Sequence, residues 1–223
     1  MTEHATAEAK PEASGTPVTP RRRRAPRGQG ELLREEILEA TERLLIATGD
    51  QDAVSIRAVA EAVGVTSPSI YLHFADKMEL IFAVCERHFQ RFDEIQEAAA
   101  AAAPDPVQGL MERGRAYIKF GLENPEQYRI LFMTKPAQTP ESWTFERVIG
   151  SVAFEHLVAA VAECIEFLKL DPPPDAQMVA ITLWSMVHGL TSLLLNHPKF
   201  PWPDRDALIE DVLTMPIQGL LPR

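Results

Sequence analysis

The chain has 223 residues, 46% of them hydrophobic and 24% charged, and its formal net charge at pH 7 is −10. This length allows one large or two small domains, and the composition is typical of a globular protein. Two cysteines, Cys85 and Cys164, argue against a disulfide framework, and the N-terminus lacks the pattern of a signal peptide. Polar residues interrupt the longest apolar stretch, 178–195, so we expect a cytoplasmic protein with no membrane span.

Charge is unevenly distributed along the chain. Residues 1–30 contain six basic and three acidic residues, whereas residues 31–77 contain four basic and nine acidic ones. Residues 1–30 also lack any hydrophobic period, so we predict a disordered basic arm. Its run RRRRAPR, Arg21–Arg27, is either a solvated tail or an arm that reaches phosphates or a minor groove.

From Glu31 onward, apolar residues recur every three to four positions, which predicts helices. The first helix ends at Gly49, the second begins after Ser55 and ends at Gly64, and a third covers residues 66–74. Asp76 then caps a long helix that runs from Lys77 to the alanine run at 98–103. Five further helices are predicted: Val107–Glu123, Pro125–Phe132, Glu141–Lys169, Asp175–Asn196 and Asp204–Leu220. No stretch alternates with period two, so the predicted fold is all-α with about nine helices.

The second and third helices have two turns each and are joined by a glycine turn, which is typical of a helix-turn-helix. Pro68 fits the first turn of the third helix, where a missing N–H costs nothing. Ile70 and Phe74 lie four residues apart and are predicted to face inward. Seven other side chains are predicted to remain free to contact phosphates or base edges. They are Thr66, Ser67, Ser69, Tyr71, Leu72, His73 and Lys77.

Residues 54–77, VSIRAVAEAVGVTSPSIYLHFADK, resemble the DNA-binding domain of the tetracycline-repressor (TetR) family of bacterial transcriptional regulators, and the resemblance covers about residues 31–85. It implies DNA contacts at Ser55, Ile56, Arg57, Thr66, Ser67, Pro68, Ser69, Tyr71, Leu72, His73 and Lys77. The family often has a polar side chain at position 56. Ile56 departs from that pattern and would offer only its backbone N–H or an apolar contact.

Two segments of the second half, NPEQYRILF (Asn124–Phe132) and WSMVHG (Trp184–Gly189), resemble the WHG-type C-terminal regulatory domain of the same family. The resemblance implies a homodimer paired through its last two helices and an effector bound within the helical C-terminal domain. The predicted domains are therefore a DNA-binding domain at 31–77, a linker helix at 77–103 and an effector-binding and dimerisation domain at 104–223.

The predicted effector pocket is mostly apolar with a few polar groups, as ligand sites usually are. Its candidate residues are Met111, Tyr117, Phe120, Tyr128, Phe132, Phe154, Trp184, His188 and Thr191. The alternative for each is a place in the core. The 175–196 helix is apolar on nearly every face, which predicts cover by its own domain and by a second chain. Candidate dimer residues are Leu183, Val187, Leu190, Leu194, Leu208, Val212 and Met215.

No catalytic motif and no metal-ligand spacing stands out in the sequence, and we expect neither an enzyme nor a cofactor. The function that the sequence favours is a homodimeric repressor that binds a palindromic operator in double-stranded DNA. Its release would follow the binding of a small, largely apolar or amphipathic effector. Two-fold symmetry would place the half-sites ~34–36 Å apart. The alternative is a regulator or adaptor of the same fold that is controlled by protein contact, without a small-molecule effector.

Overall fold

The computed structural model describes residues 30–132 and 151–220. Within these ranges the protein is all-α, as predicted, with nine helices and no strand. The helices are α1 Gly30–Thr48, α2 Ile56–Val63, α3 Ser67–Ile70, α4 Lys77–Ala101, α5 Pro106–Glu123, α6 Pro125–Phe132, α7 Ser151–Phe167, α8 Ala176–Asn196 and α9 Arg205–Leu220. The predicted arm at Arg21–Arg27, and the first part of the helix predicted over Glu141–Lys169, lie outside the described residues.

The ends of α2 are fixed by a hydroxyl cap and a glycine. Ser55 Oγ accepts a hydrogen bond of 3.1 Å from the backbone N–H of Ala58, which satisfies one amide of the first turn. At the other end Gly64 has φ +76°, in the left-handed region that favours glycine. The backbone N–H of Val65 then bonds back to the carbonyl of Ala60 at 2.9 Å. This turn orients α3 across α2.

Helix α3 is shorter than the predicted 66–74, because it ends at Ile70. Residues beyond it form a turn in which the N–H of His73 bonds to the Ile70 carbonyl, three residues back, at 2.9 Å. Thr66 occupies the N-cap position but makes no capping bond. Its hydroxyl lies 2.9 Å from Ser69 Oγ instead. The predicted inward pair is confirmed, since Ile70 and Phe74 are both buried.

Three hydrophobic cores hold the chain together. The first joins α1, α2 and α3 to the first half of α4, and it also receives Ile130 from α6. The second contains Phe89 and Phe92 from the second half of α4, together with residues of α5, α6, α8 and α9. The third lies between α5, α7 and α8. Helices α4 and α6 therefore contribute to the helix-turn-helix core and to the larger helical domain at once.

Gly64→Ala is expected to destabilise the protein by about 1–2 kcal/mol, because an alanine side chain disfavours the left-handed backbone at this position. Gly64→Asn is the matched control, since asparagine tolerates that conformation better. Urea denaturation of the two variants measures the difference. Equal stability of the alanine variant and the parent would contradict the assigned turn.

Candidate functional site

The helix-turn-helix presents a compact outward face on α3 and the start of α2. Leu72 is 84% exposed and Tyr71 is 53% exposed, although both are large side chains that proteins usually shield. Arg57, Thr66 and Pro68 are also exposed, whereas Ser67, Ser69 and His73 are half-buried. The structure thus brings most of the predicted DNA contacts onto one surface.

Ser55 and Ile56, both predicted to contact DNA, also stabilise the domain. Ile56 is half-buried and packs against the first core, so its side chain stabilises the domain and does not face outward. Its apolar character, unusual for the family at this position, is explained by that packing. The Ser55 hydroxyl is occupied as the cap of α2. Their contacts to DNA stay predictions, and Arg57 is the exposed side chain beside them.

Lys77 and the start of α1 border the same face. Lys77 is the first residue of α4, and its ammonium lies 3.4 Å from the backbone carbonyl of Asp52 in the α1–α2 loop. A β-carbon placed on Gly30 would lie 3.9 Å from His73 Cε1. Helix α1 therefore begins close to His73 of the recognition face.

In the helical domain, two adjoining apolar clefts lie between α4, α5, α7, α8 and α9. Neither is a closed cavity, and the volumes between their walls, about 460 Å³ and about 380 Å³, include space that is open to solvent. Both are lined by Gln96, Tyr117, Leu157 and Trp184, so they meet along a shared wall. Of the predicted pocket residues, five line one or both clefts: Met111, Tyr117, Phe132, Phe154 and Trp184.

The other predicted pocket residues, Phe120, Tyr128, His188 and Thr191, do not line these clefts. Phe120 is buried against Phe92 in the second core, with ring centroids 5.0 Å apart. Thr191 is fully buried and donates to the Val187 carbonyl at 2.7 Å. Both side chains are buried, and their part in the effector site stays a prediction.

Tyr128 and His188 form a polar network behind the cleft wall. His188 Nδ1 lies 2.8 Å from the Tyr128 hydroxyl and 2.9 Å from that of Tyr117. Burial raises the pKa of Tyr128 to about 12, raises that of Tyr117 well above its usual value and lowers the pKa of His188. All three groups are therefore neutral near pH 7, and the network fixes the Tyr117 ring in the wall.

Sequence reasoning missed several lining residues. Gln96 and Leu157 line both clefts, and Arg113 is the charged residue that lines the larger one. Arg113 pairs with Glu97 through two hydrogen bonds, one of them 2.9 Å long. The sequence did contain a signal for the α4 lining residues. Phe89, Phe92 and Gln96 are spaced three and four residues apart, which places them on one face of the helix.

The predicted dimer residues divide into two groups. Val187, Leu190 and Leu194 are buried in the chain's own second core, which corrects their assignment to a subunit contact. Leu183, Leu208 and Val212 are half-buried against the cores, and Met215 is 61% exposed. The apolar side chains that α8 does expose were not in the prediction. They are Met178, Ile181 and Leu193.

Helix α8 also has the length and hydropathy of a membrane span, with 21 residues and a mean hydropathy of 1.7. Within the described ranges it is the one helix that does. Core helices of globular proteins pass the same test. Here, Ala180, Val187, Leu190, Thr191 and Leu194 are buried against other helices.

His188→Gln is expected to flatten the acid dependence of stability. Burial lowers the pKa of His188, so in the window from about 6.5 down to that lowered pKa the unfolded chain binds a proton that the folded chain does not. Stability therefore falls as the pH falls through this window. Urea denaturation across it should show a smaller loss in His188→Gln than in the parent, and an identical loss would contradict the neutral network.

Comparison with known proteins places the two halves in one family. Residues 37–84 match the family model described as "Bacterial regulatory proteins, tetR family". Residues 110–215 match "Tetracyclin repressor-like, C-terminal domain". Together the two models span more than half of the chain.

Individual relatives agree with this. The chain is similar to the transcriptional activator FasR of Mycolicibacterium smegmatis, at 27% identity over 84% of this chain and 82% of FasR. It is 40% identical to the transcriptional repressor KstR of the same organism over 34% of this chain and 37% of KstR.

Among solved structures, FadR of Bacillus subtilis in complex with stearoyl-CoA shares the fold. Its TM-score is 0.67 at 15% identity, with 83% of this chain and 98% of that chain covered. The relatives and the matching families are transcription regulators and not enzymes. From the helix-turn-helix, the helical domain and both family matches, the chain belongs to the TetR family of bacterial transcriptional regulators.

Proposed function

We propose that the protein is a homodimeric repressor that binds a palindromic operator and is released by a small, largely apolar effector in the clefts of its helical domain. The observation that carries this proposal is the position of α4. This helix lines the clefts with Phe89, Phe92 and Gln96 and completes the core of the DNA-binding unit with Leu80 and Val84. Such a regulator acts in the cytoplasm, where its DNA is.

The recognition surface supports DNA as the partner. Hydroxyl groups of Thr66, Ser69 and Tyr71 and the guanidinium of Arg57 donate hydrogen bonds that suit phosphates or base edges. The exposed Leu72 side chain suits contact with a thymine methyl group. With nine acidic residues in 31–77, the domain has few cations of its own. The basic segment Arg21–Arg27, joined to the chain beside His73, would supply most of the positive charge.

The exposed apolar side chains support a dimer. Met178 is 62% exposed, Leu193 48% and Ile181 39%, all on α8, and Met215 on α9 is 61% exposed. Apolar side chains on two neighbouring helices are characteristic of an interface between subunits. A stable interface would bury about 800 Å² on each partner. We therefore assign the dimer contact to this outer face of α8 and α9.

The clefts support an effector that is mostly apolar. Aromatic and aliphatic side chains dominate their walls, and the larger cleft has one charged lining residue, Arg113. The FadR protein of the same fold was solved in complex with stearoyl-CoA, which supports an acyl compound as a candidate effector. Long-chain acyl compounds are therefore the first effectors to test.

Lys77→Ala is expected to weaken binding to the operator and to unrelated DNA alike, by roughly tenfold, and to lower the salt dependence by about one counterion. Tyr71→Ala should weaken binding to a similar degree by removing a phosphate contact. Lys119→Ala, an exposed lysine on α5, is the control. Fluorescence anisotropy with an operator selected from random DNA measures each affinity. Unchanged binding of Tyr71→Ala and Lys77→Ala would exclude the assigned recognition face.

Ala153→Phe is expected to fill the smaller cleft while leaving operator binding intact. The variant should need at least about tenfold more effector for release from the operator, because a methylene-sized overlap already costs ~1–3 kcal/mol in a packed site.

Ala98→Phe, on the exposed side of α4, is the control. Parent and variants are titrated with stearoyl-CoA and with free fatty acids on bound operator. If all three proteins leave the operator at the same effector concentration, the effector binds elsewhere. If none of these compounds releases the parent from the operator, control by protein contact is favoured.

A further inference from the structure

Three ligand-type side chains meet between α4 and α7, beside the clefts. Asp93 and Glu97 lie one turn apart on α4, and His156 faces them from α7. His156 Nδ1 is 3.0 Å from Asp93 Oδ2 and 3.5 Å from Glu97 Oε1. One donor atom from each residue can be chosen so that all three lie within 4.8 Å of one another. More than fifty residues separate α4 from His156 in the sequence, which is why no metal-ligand spacing was visible there.

The two separations from His156 Nδ1 are close to those between ligand atoms in a metal coordination shell. Zinc binds imidazole nitrogen and carboxylate oxygen at about 2.0–2.2 Å, so neighbouring ligand atoms in a tetrahedral site lie roughly 3.3–3.5 Å apart. The two distances from His156 Nδ1 bracket this value. Glu97 and His156 are partly exposed, whereas the Asp93 side chain is almost buried. The cluster is therefore open on one side to solvent, where a water molecule could complete four-coordination.

The charges favour a cation. Among the described residues, Asp93 has no ion pair with a lysine or arginine, and its recorded partner is His156. Buried carboxylates are normally paired with a cation or coordinate a metal. Two carboxylates and one neutral imidazole balance a divalent ion. Imidazole selects transition metals, whereas all-oxygen sites suit Mg²⁺ and Ca²⁺.

Arg113 supports the same arrangement. Its guanidinium holds Glu97 through both carboxylate oxygens. A carboxylate has about four lone-pair positions, so Glu97 can keep Arg113 and still offer one to a metal. Ligating carboxylates are commonly oriented by such hydrogen bonds.

We propose that Asp93, Glu97 and His156 form a binding site for one divalent transition-metal ion per chain, with Zn²⁺ as the best-matched ion. The bound ion would connect α4, which also belongs to the DNA-binding core, to α7. Asp93, Glu97 and His156 do not themselves line the two clefts. Arg113, which holds Glu97, does line the larger cleft, so the two sites are neighbours.

The test is the binding of Zn²⁺ to tag-free, full-length protein, measured by isothermal titration calorimetry and by metal content after equilibrium dialysis. One ion per chain is expected. His156→Ala and Asp93→Asn should each lower the affinity at least tenfold, whereas His197→Ala, an exposed histidine after α8, should not. Far-UV circular dichroism checks that each variant is folded. Co²⁺ bound to the parent should give the visible absorption of a low-coordinate nitrogen and oxygen site, which His156→Ala abolishes.

Three results would overturn the proposal. The first is a parent protein that binds no Zn²⁺ after dialysis. The second is retention of parental affinity in both His156→Ala and Asp93→Asn, which would locate the ion elsewhere. The third is loss of binding in His197→Ala alone. In each case Asp93, Glu97 and His156 would be an ion-pair network that links α4 to α7 without a metal.

Discussion

Helix α4 buries its first half in the core of the helix-turn-helix and its second half in the core of the helical domain. Leu80 and Val84 pack with α1, α2 and α3, while Phe89 and Phe92 pack with α5 and α8. Arg87 adds an ion pair to Glu35 on α1 at 2.8 Å. Because packed cores resist deformation, this shared helix would transmit a shift of its second half to its first in the mechanism proposed above.

Both clefts have residues of α4 in their walls, so a ligand bound there would contact this helix. Gln96 of α4 forms part of the wall common to both, opposite Trp184 of α8. Behind this wall, the Tyr117–Tyr128–His188 network is neutral, and its two hydroxyl groups lie within hydrogen-bond distance of His188 Nδ1. An apolar ligand would gain burial without having to neutralise a charged group at this side. Arg113, already paired with Glu97, is the polar feature at the other side of the larger cleft.

Much of the architecture could be predicted from the sequence because its signals are local. Caps such as Ser55 and Gly64, and three-to-four spacing, indicate where helices begin and end. Which face of a helix points inward depends on partners distant in sequence. Ile56 was therefore placed at the DNA surface and Thr191 in the pocket, although both pack toward cores. The Asp93–Glu97–His156 cluster was missed for the same reason, since its ligands come from two separate helices.

Control through α4 is tested by measuring the distance between the two recognition helices of the proposed dimer. Leu72→Cys provides an exposed attachment point for a spin label. Burial raises the pKa of the native thiols, to about 12 for Cys85 and about 11 for Cys164, so they react poorly. Double electron–electron resonance then compares the free dimer with the dimer bound to the compound that releases the operator. We predict a distinct change in the label-to-label distance, and an unchanged distance in the effector-bound dimer would contradict control through α4.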